Sequence, residues 1–451
     1  MLEKVPTVLK DLMVFLDKRG VKSYIVGGAV RDLVAGQVPM DWDLSTPATP
    51  ELLTTLFEGT YKVIPLGIKH GTISVFHEPS KFSCQITTFR KDVSCDGRHA
   101  EVEFTSDLET DLARRDFTIN AMALDLNGNL IDPFGGQADL KQRSLRAVGD
   151  PEERLREDRL RMLRACRFAA YGTGMIISQD LFRAIKENAW DIDGLSAERI
   201  QGELVKAMKY PLPSKAFNAM RNTGLLPFII PELQQCHGVE QNKYHKDDVY
   251  THILKVVDAV SPKRTILRFA ALFHDIGKPD TKRVVRGYAS FHKHEVVGAN
   301  KADAIMTRLK FPGDWTAQVV LLVRHHMWRF AEDTKDSTIK RWAVTVAPHT
   351  RDLLRLRMAD RKGNRAKEGK PAITWPMKCL LRKLIQFEKT SVPMTVKDLA
   401  ISGEDLVKMG FKPGPKFKKI LSDCLGLALE DPKNNQIDYF RGFIRGRYKK
   451  T

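Results

Sequence analysis

The sequence predicts an α/β or α+β unit over its first third and helices almost to the end. Two observations lead there. From about 22 to 145, short β-type runs ("SYIVGG", "TISVFH", "SCQITTFR", "AMALDL") alternate with helical stretches. From 150 onward apolar residues recur at helical spacing, as in "PEERLREDRLRMLRACRFAA", which opens on a proline. At 451 residues the chain is too long for one core, so about three packing units are expected.

With 43% hydrophobic and 28% charged residues the chain reads as soluble and globular. Runs such as "VVLLV" near 320 are far too short to span a bilayer. The opening "MLEKVPTVLKDLMVFL" is amphipathic and lacks a signal peptide's apolar block, so a cytoplasmic protein is expected. Cys84, Cys95, Cys166, Cys236, Cys379 and Cys424 are scattered and form no C-x-x-C, which argues against disulfides and thiolate zinc. The net charge of +18 suggests an anionic partner, most simply nucleic acid, with ordinary solubility charge as the alternative. No internal repeat occurs, which excludes a solenoid.

The first element with chemistry in it is "VGGAVRDLVAGQVPMDWDLST", residues 26 to 46. Residues two apart on a strand face the same way, so Asp41 and Asp43 would present their carboxylates together. Adjacent like charges repel unless a cation lies between them, and oxygen-only ligands favour Mg2+. Gly27 and Gly28 let the backbone approach a phosphate, and Arg31 can pair with it. Phosphates beside magnesium on carboxylates is the setting for nucleotidyl transfer. Taken alone, the motif reads equally as a tight turn before a solvated edge strand.

Four motifs downstream, in their order, narrow the choice: "IPLGIKHGTISVF", "DLARRDFTINAMALD", "DPFGGQADL" and "EDRLRMLRACRF". From about 22 to 425 this series resembles the class II tRNA nucleotidyltransferases, the CCA-adding enzymes, and their relatives the bacterial poly(A) polymerases. The resemblance implies a polymerase-beta-like α+β head with a mixed sheet, followed by an all-α neck, body, HD domain and tail. It implies that Asp41 and Asp43 are catalytic and carry magnesium, that Gly28 and Arg31 contact the triphosphate, and that Arg115 contacts the nucleotide. Gln85 is a departure, because that position often holds Glu in the family. "TFRKDVSCDGRHAEVEF" is polar and contains a glycine, as expected of a mobile loop, and such a loop accompanies the switch from C to A in the family.

Base choice has a candidate mechanism in "EDRLR". On one helix, Asp158 and Arg161 are three apart and share a face. A carboxylate accepts from the exocyclic amino group of cytosine and adenine, and repels the carbonyl that uracil and guanine present instead. The resemblance assigns this pair the templating role, with Arg164 and Arg167 lining the site; an ordinary charged helix face is the alternative. In "DLARRDFTINAMA", Arg115 and Asp116 would face the same pocket, with Asn120 on that face if the segment is helical, while Arg114 reads equally as a surface charge. "GIKHGT" matches the CCA-adding group better than poly(A) polymerase, the nearest alternative function. An RNA-binding protein whose main activity is an HD hydrolase is the alternative of a different class.

Eight of the twelve histidines fall between His237 and His326. His274 and Asp275 sit together in "ALFHDIGKP", His252 lies upstream in "DVYTHILKV", and Asp360 downstream in "LRMADRKG". Imidazole with carboxylate suits a transition metal. The pattern resembles the HD-domain metal phosphohydrolases, which implies His294 and His326 as further ligands and Lys278 as a phosphate contact. His292 and His325 adjoin the better matches. A metal-activated water would give phosphodiesterase or phosphatase chemistry, with damaged RNA ends as a candidate substrate; a degenerate HD fold kept for packing is the alternative. "KDLAISGEDLVKMGFKPGPKFKKIL" resembles the family's carboxy-terminal helical segment and reads as tRNA-binding surface.

The expected organisation is a head over 1–145, a neck and body over 146–240, an HD domain over 241–390 and a basic helical tail over 391–451. The expected partners are CTP, ATP and tRNA lacking all or part of CCA.

Overall fold

The computed structural model describes residues 1–448 except 66, 96–99, 243–244, 286, 365–368, 390–392 and 394. The chain divides into two compact units, Met1–Gln234 and Gln235–Thr451.

In the first unit the strands are β1 (Tyr24–Val26), β2 (Asp43–Thr46), β3 (Lys62–Ile64), β4 (Thr72–His77), β5 (Phe82–Thr88), β6 (Arg90–Cys95), β7 (Ala100–Phe104), β8 (Ala123–Leu124) and β9 (Leu130–Ile131). Among the described residues, seven of them form one sheet in the order β3-β4-β5-β2-β1-β8-β9. β2 and β5 run parallel while the other pairs are antiparallel, which makes the sheet mixed and the unit α+β. Ile25, Leu44, Ile73, Val75 and Ile86 are buried in one core with Leu9, Leu12, Met13 and Leu16 of the helix Thr7–Asp17. Those four follow the spacing of a helix with one apolar stripe. Val30 and Leu33 of the helix Gly28–Val34 join the same core. This fastens the turn before that helix to the sheet.

Residues 88–104, expected to be a loop, form a β-hairpin instead. β6 pairs with β7 from Arg90↔Phe104 to Cys95↔Ala100, with an irregularity between Asp92 and Ser94. The alternation in "AEVEF" supplies a strand period that the polar composition hid. The tip, 96–99, lies outside the described residues.

Beyond the sheet come the helices Pro151–Glu157, Leu160–Phe168, Gln179–Glu187, Ala197–Ala207 and Ser214–Asn222, with one short parallel strand pair, Ser144–Leu145 against Ile176–Ile177. Pro151 occupies the first helical turn, and the Asp150 side chain caps it by accepting from Glu153 N–H at 3.0 Å.

The second unit holds the helices Val249–Ala259, Thr265–Phe273, His294–Arg308, Gly313–His325 and Thr350–Gly363, and a hairpin of Arg283–Val285 with Tyr288–Ser290. A Cβ on Gly277 would run into the His294 carbonyl and lie 2.6 Å from Gly298 N. Only glycine lets the start of the helix His294–Arg308 approach the turn after Asp275 so closely. The carboxy-terminal helices Gly403–Lys408, Pro415–Glu430 and Ile437–Arg447 share a separate core of Ile401, Leu406, Phe411, Ile420, Phe440 and Ile444. The stretch 364–377 reads as a loop from its sequence, but its end, from Trp375, belongs to the helix Trp375–Lys389; residues 365–368 lie outside the described ones, as do 449–451 of the basic tail. Among the described residues, no helix is long and apolar enough to cross a membrane.

Candidate active site and metal centre

β1 ends at Val26 because Gly27 takes φ +67° and ψ −130°, which turns the chain into the helix Gly28–Val34. That early end corrects the expectation for the two acids. The β1–β2 ladder pairs Tyr24 with Ser45 and Ile25 with Leu44, so β2 begins at Asp43 and Asp41 lies in a bend before it. Between them Trp42 is buried. Both acids nevertheless open onto one cleft of about 660 Å³. Surrounding protein pushes the Asp43 pKa up, Arg115 opposes this, and the nearby Asp41 charge adds to the rise. Gln85 stands beside Asp43 in the parallel β2–β5 register and lines the same cleft.

Eight arginines also line the cleft among the described residues: Arg31, Arg90, Arg114, Arg115, Arg161, Arg164, Arg167 and Arg199. Most are held by acids. Arg31 donates to Asp32 Oδ1 through Nε at 2.9 Å and Nη2 at 2.8 Å, and to Asn120 Oδ1 through Nη1 at 2.9 Å. Arg114 and Arg115 share the buried Asp111, at 2.7 and 3.1 Å. Burial would raise the Asp111 pKa, but the two guanidinium groups hold it below the usual range. Arg164 pairs with the buried Asp116 at 2.7 Å, and Asn120 Nδ2 donates to the other oxygen of Asp116 at 2.9 Å. The segment between them is not one helix, since Phe117 is extended and only Thr118–Asn120 forms a short 3-10 turn. Arg167 pairs with the buried Glu203 at 2.5 Å.

Asp158 and Arg161 do not share a helix face. The helix Pro151–Glu157 stops at Asp158, whose backbone is extended at φ −149°, and a second helix starts at Leu160. The Asp158 side chain makes the break by accepting from Leu160 N–H at 3.0 Å, a local bond that competes with helix continuation. The two residues also do not pair. Both Asp158 oxygens accept from Arg199 Nη2 at 2.8 Å. Arg161 donates to Glu157 Oε2 at 2.5 Å and to the Arg154 and Arg114 carbonyls at 2.9 and 3.0 Å. Asp158, Arg161, Glu157 and Arg199 all line the cleft with Asp41 and Asp43.

Arg199, Asp111 and Lys206 were not found by sequence reasoning, and Arg114, which reads equally as a surface charge, proves to line the cleft. Charge spacing pointed only to partners three or four residues away, and Arg199 lies 41 residues from Asp158.

The glycine turn yields an expected result. In Gly27→Ala the new Cβ would lie 2.9 Å from Arg115 Nη1, in a backbone region that strains non-glycine residues by about 1–3 kcal/mol. Thermal unfolding should shift down by several degrees and nucleotide incorporation should fall at least about tenfold. Wild-type values for both would show that the turn tolerates a side chain.

In the second unit, His252, His274, Asp275, His294, His326 and Asp360 come together, all buried. Among the described residues two ligand groups emerge, His252–His274–Asp275 and Asp275–His294–His326, which share Asp275. Its Oδ2 lies 3.5 Å from His252 Nε2 and 3.2 Å from His274 Nε2; its Oδ1 lies 3.3 Å from His294 Nε2 and 3.8 Å from His326 Nε2. Asp360 Oδ1 is 3.3 Å from His252 Nε2.

The rings are oriented from behind. Nδ1 of His274, His294 and His326 lies 2.6–2.7 Å from a backbone carbonyl three residues earlier, which only accepts, so Nδ1 carries the proton. Nε2 is therefore the nitrogen that each ring turns toward the centre. Burial and the neighbouring His274 push the His326 pKa down to about 3, keeping that ring neutral. Nε2 of His252 and of His274 are buried without a hydrogen-bond partner. Bare buried imidazole nitrogens beside carboxylates fit a metal ion that accepts N and O donors.

Lys278 is drawn to Asp275 Oδ2 at 2.6 Å and to Gln241 Oε1 at 2.7 Å. With His292, Lys293 and Arg357 it lines the adjoining cavity of about 560 Å³, and His325 is not among the lining residues. His245, which the ligand pattern passed over, also lines this cavity, with its ring 4.9 Å from that of His252. Burial and Lys278 push its pKa down to about 3. The crowding of histidines in this stretch was the one signal that could have found it.

The fold and the cleft define the class: a nucleotidyltransferase with a polymerase-beta-like head and an HD domain behind it. Residues 23–146 match the family model of the poly A polymerase head domain, 174–236 that of the probable RNA and SrmB-binding site of polymerase A, and 242–361 that of the HD domain. The chain belongs to the tRNA nucleotidyltransferase/poly(A) polymerase family. It is 31% identical over 416 residues to the A-adding tRNA nucleotidyltransferase of Deinococcus radiodurans, covering 88% of this chain and 89% of that one. It is 42% identical over 216 residues to the CCA-adding enzyme of Geobacillus kaustophilus, 48% of this chain and 52% of that one. The crystal structure of the Bacillus stearothermophilus CCA-adding enzyme in complex with CTP is similar across 97% of both chains, at 26% identity and a TM-score of 0.69.

Proposed function

We propose that the chain builds and repairs the 3′-terminal CCA of cytoplasmic tRNA from CTP and ATP, with Mg2+ on Asp41 and Asp43. The observation that carries this reading is the single cleft in which those acids face both Arg31 and the wall formed by Asp158, Arg161 and Arg199. Two adjacent carboxylates, with the Asp43 pKa already raised, fit an oxygen-liganded divalent ion. Such an ion, when bound, screens the phosphates and polarises the reacting phosphoryl group.

The chain's own residues supply the remainder. Gly28 gives the triphosphate access to the helix start, Arg31 and Arg115 take phosphate oxygens, and Asp158 meets the base. Arg164 and Arg167 complete the wall, each already oriented by an acid and so needing little rearrangement. The HD cavity is assigned phosphoester hydrolysis on RNA ends, with a transition metal held by His252, His274, Asp275, His294, His326 and Asp360.

The deciding experiment supplies labelled CTP and ATP with magnesium to tRNA ending before CCA and to tRNA ending in CC. CCA addition requires two C and one A on the first substrate and one A on the second. The extent of similarity to the Deinococcus radiodurans protein favours a second reading, addition of the terminal A alone. That reading requires incorporation only on tRNA ending in CC. Long A tracts on either substrate would instead mean poly(A) polymerase.

Base choice gives a further expected result. Arg161 is fastened to two backbone carbonyls, so the cleaner variant is Asp158→Ala. A carbonyl facing Asp158 costs on the order of 1–3 kcal/mol, so removing the carboxylate should raise UTP use relative to CTP by roughly tenfold. Single-nucleotide addition with each triphosphate measures this. Unchanged discrimination would move base reading elsewhere in the cleft.

A further inference from the structure

The Arg31 guanidinium lies over Gly28, with Nη2 3.5 Å from where a Cβ there would stand. A guanidinium has five N–H donors. Three go to Asp32 and Asn120, leaving one on each terminal nitrogen, and the Tyr171 hydroxyl also lies within hydrogen-bond reach of the guanidinium. Which way that pair points depends on where Asp32 and the guanidinium plane are held.

Both are held by one side chain that the sequence motifs do not include. Tyr171 lies past the end of the helix Leu160–Phe168, is 7% exposed, and donates its hydroxyl to Asp32 Oδ1 at 2.7 Å. Asp32 Oδ1 is also the oxygen that both Arg31 donors use. The Tyr171 ring stacks beneath the Arg31 guanidinium, 4.6 Å from ring centroid to Cζ, and Phe168 flanks it at 5.2 Å. Tyr210 fixes the Tyr171 ring from the side, edge-on at 5.9 Å, and its own hydroxyl accepts from Arg167 Nη1 at 2.8 Å. Burial pushes the Tyr171 phenol up, so it remains a donor throughout the working pH range.

We propose that Tyr171 is a positioning residue for nucleotide addition: through Asp32 and through its ring it sets the Arg31 fork toward the incoming triphosphate. Hydroxyl and ring act on different atoms of the same pair. One fixes the carboxylate that orients Arg31, and the other fixes the plane of the guanidinium. Tyr171 is not among the residues that line the cleft, so its effect would reach the phosphates through Arg31. The proposal rests on the reading of Arg31 as a triphosphate contact.

The test uses the full chain with Tyr171→Phe, which keeps the ring and removes the hydroxyl, beside Arg31→Lys. KM and kcat for CTP and ATP are measured on tRNA ending before CCA and in CC, with the Ki of inorganic tripolyphosphate, the Tm and the tRNA Kd. Tyr171→Phe should raise both KM values about tenfold, as expected for one lost hydrogen bond to a charged group. The tripolyphosphate Ki should rise by the same factor, with kcat within about twofold and Tm and tRNA Kd unchanged. A wild-type KM and Ki in Tyr171→Phe, with both raised in Arg31→Lys, overturns the role of Tyr171 alone. A wild-type Ki in Arg31→Lys overturns the phosphate-contact reading and the proposal with it. A fall in Tm accompanied by weaker tRNA binding assigns Tyr171 to packing and likewise overturns it.

Discussion

Asp43→Ala and Asp41→Ala should each lower nucleotide incorporation by about 10³-fold or more, with tRNA affinity kept within about threefold. The first figure follows from losing one of two carboxylates that would hold the ion, worth several kcal/mol to the transition state. The second corresponds to about 0.7 kcal/mol of binding. Neither acid lies on the apolar sheet core, so the fold should survive their removal. On the proposed reading the basic surface of a chain with net charge +18, and not the two acids, should carry affinity for RNA. Incorporation under single-turnover conditions and tRNA binding by filter retention measure the two quantities. If binding falls in step with incorporation, the acids hold RNA and the metal assignment is wrong.

Asp275→Ala should do to hydrolysis what Asp43→Ala does to addition. Asp275 offers one oxygen toward His252 and His274 and the other toward His294 and His326, so a single substitution removes a donor from both groups. Hydrolysis of a phosphodiester probe should fall by about 10³-fold, and metal retained after desalting should fall with it. CCA addition in magnesium should stay within about twofold, because the head offers oxygen donors and the second unit mainly nitrogen. A folded Asp275→Ala protein that no longer adds nucleotides would show that the two chemistries are not separable.

The parts of this site visible in the sequence are those whose physics is local. The turn at Gly27, the acids two residues apart and the His-Asp pair are short-range patterns, and each lies in the cleft or the ligand cluster. What stayed hidden depends on partners distant in the chain. Asp158 looked like one member of a helical pair with Arg161 until its side chain proved to cap the next helix and to face Arg199. The hairpin at 90–104 was concealed by its polar composition, because cross-strand register does not show in a single segment. Asp111 looked like one acid in a charged stretch, and only folding places it at zero exposure beneath two arginines.

The pairing of the cleft arginines with acids has a consequence for how ionic strength acts on the two substrates. Arg31, Arg114, Arg115, Arg164, Arg167 and Arg199 each share their charge with a carboxylate at 2.5–3.1 Å. A triphosphate arriving there meets fixed donors in a nearly compensated field, and added salt has few loosely held counterions to compete with. The chain as a whole carries a net charge of +18, and on the proposed reading tRNA held by its basic surface would release counterions in proportion to the phosphates neutralised. Rising salt therefore loosens the polymer well before the monomer. On the proposed reading, a finished tRNA could be let go while the grip on the next nucleotide is scarcely altered.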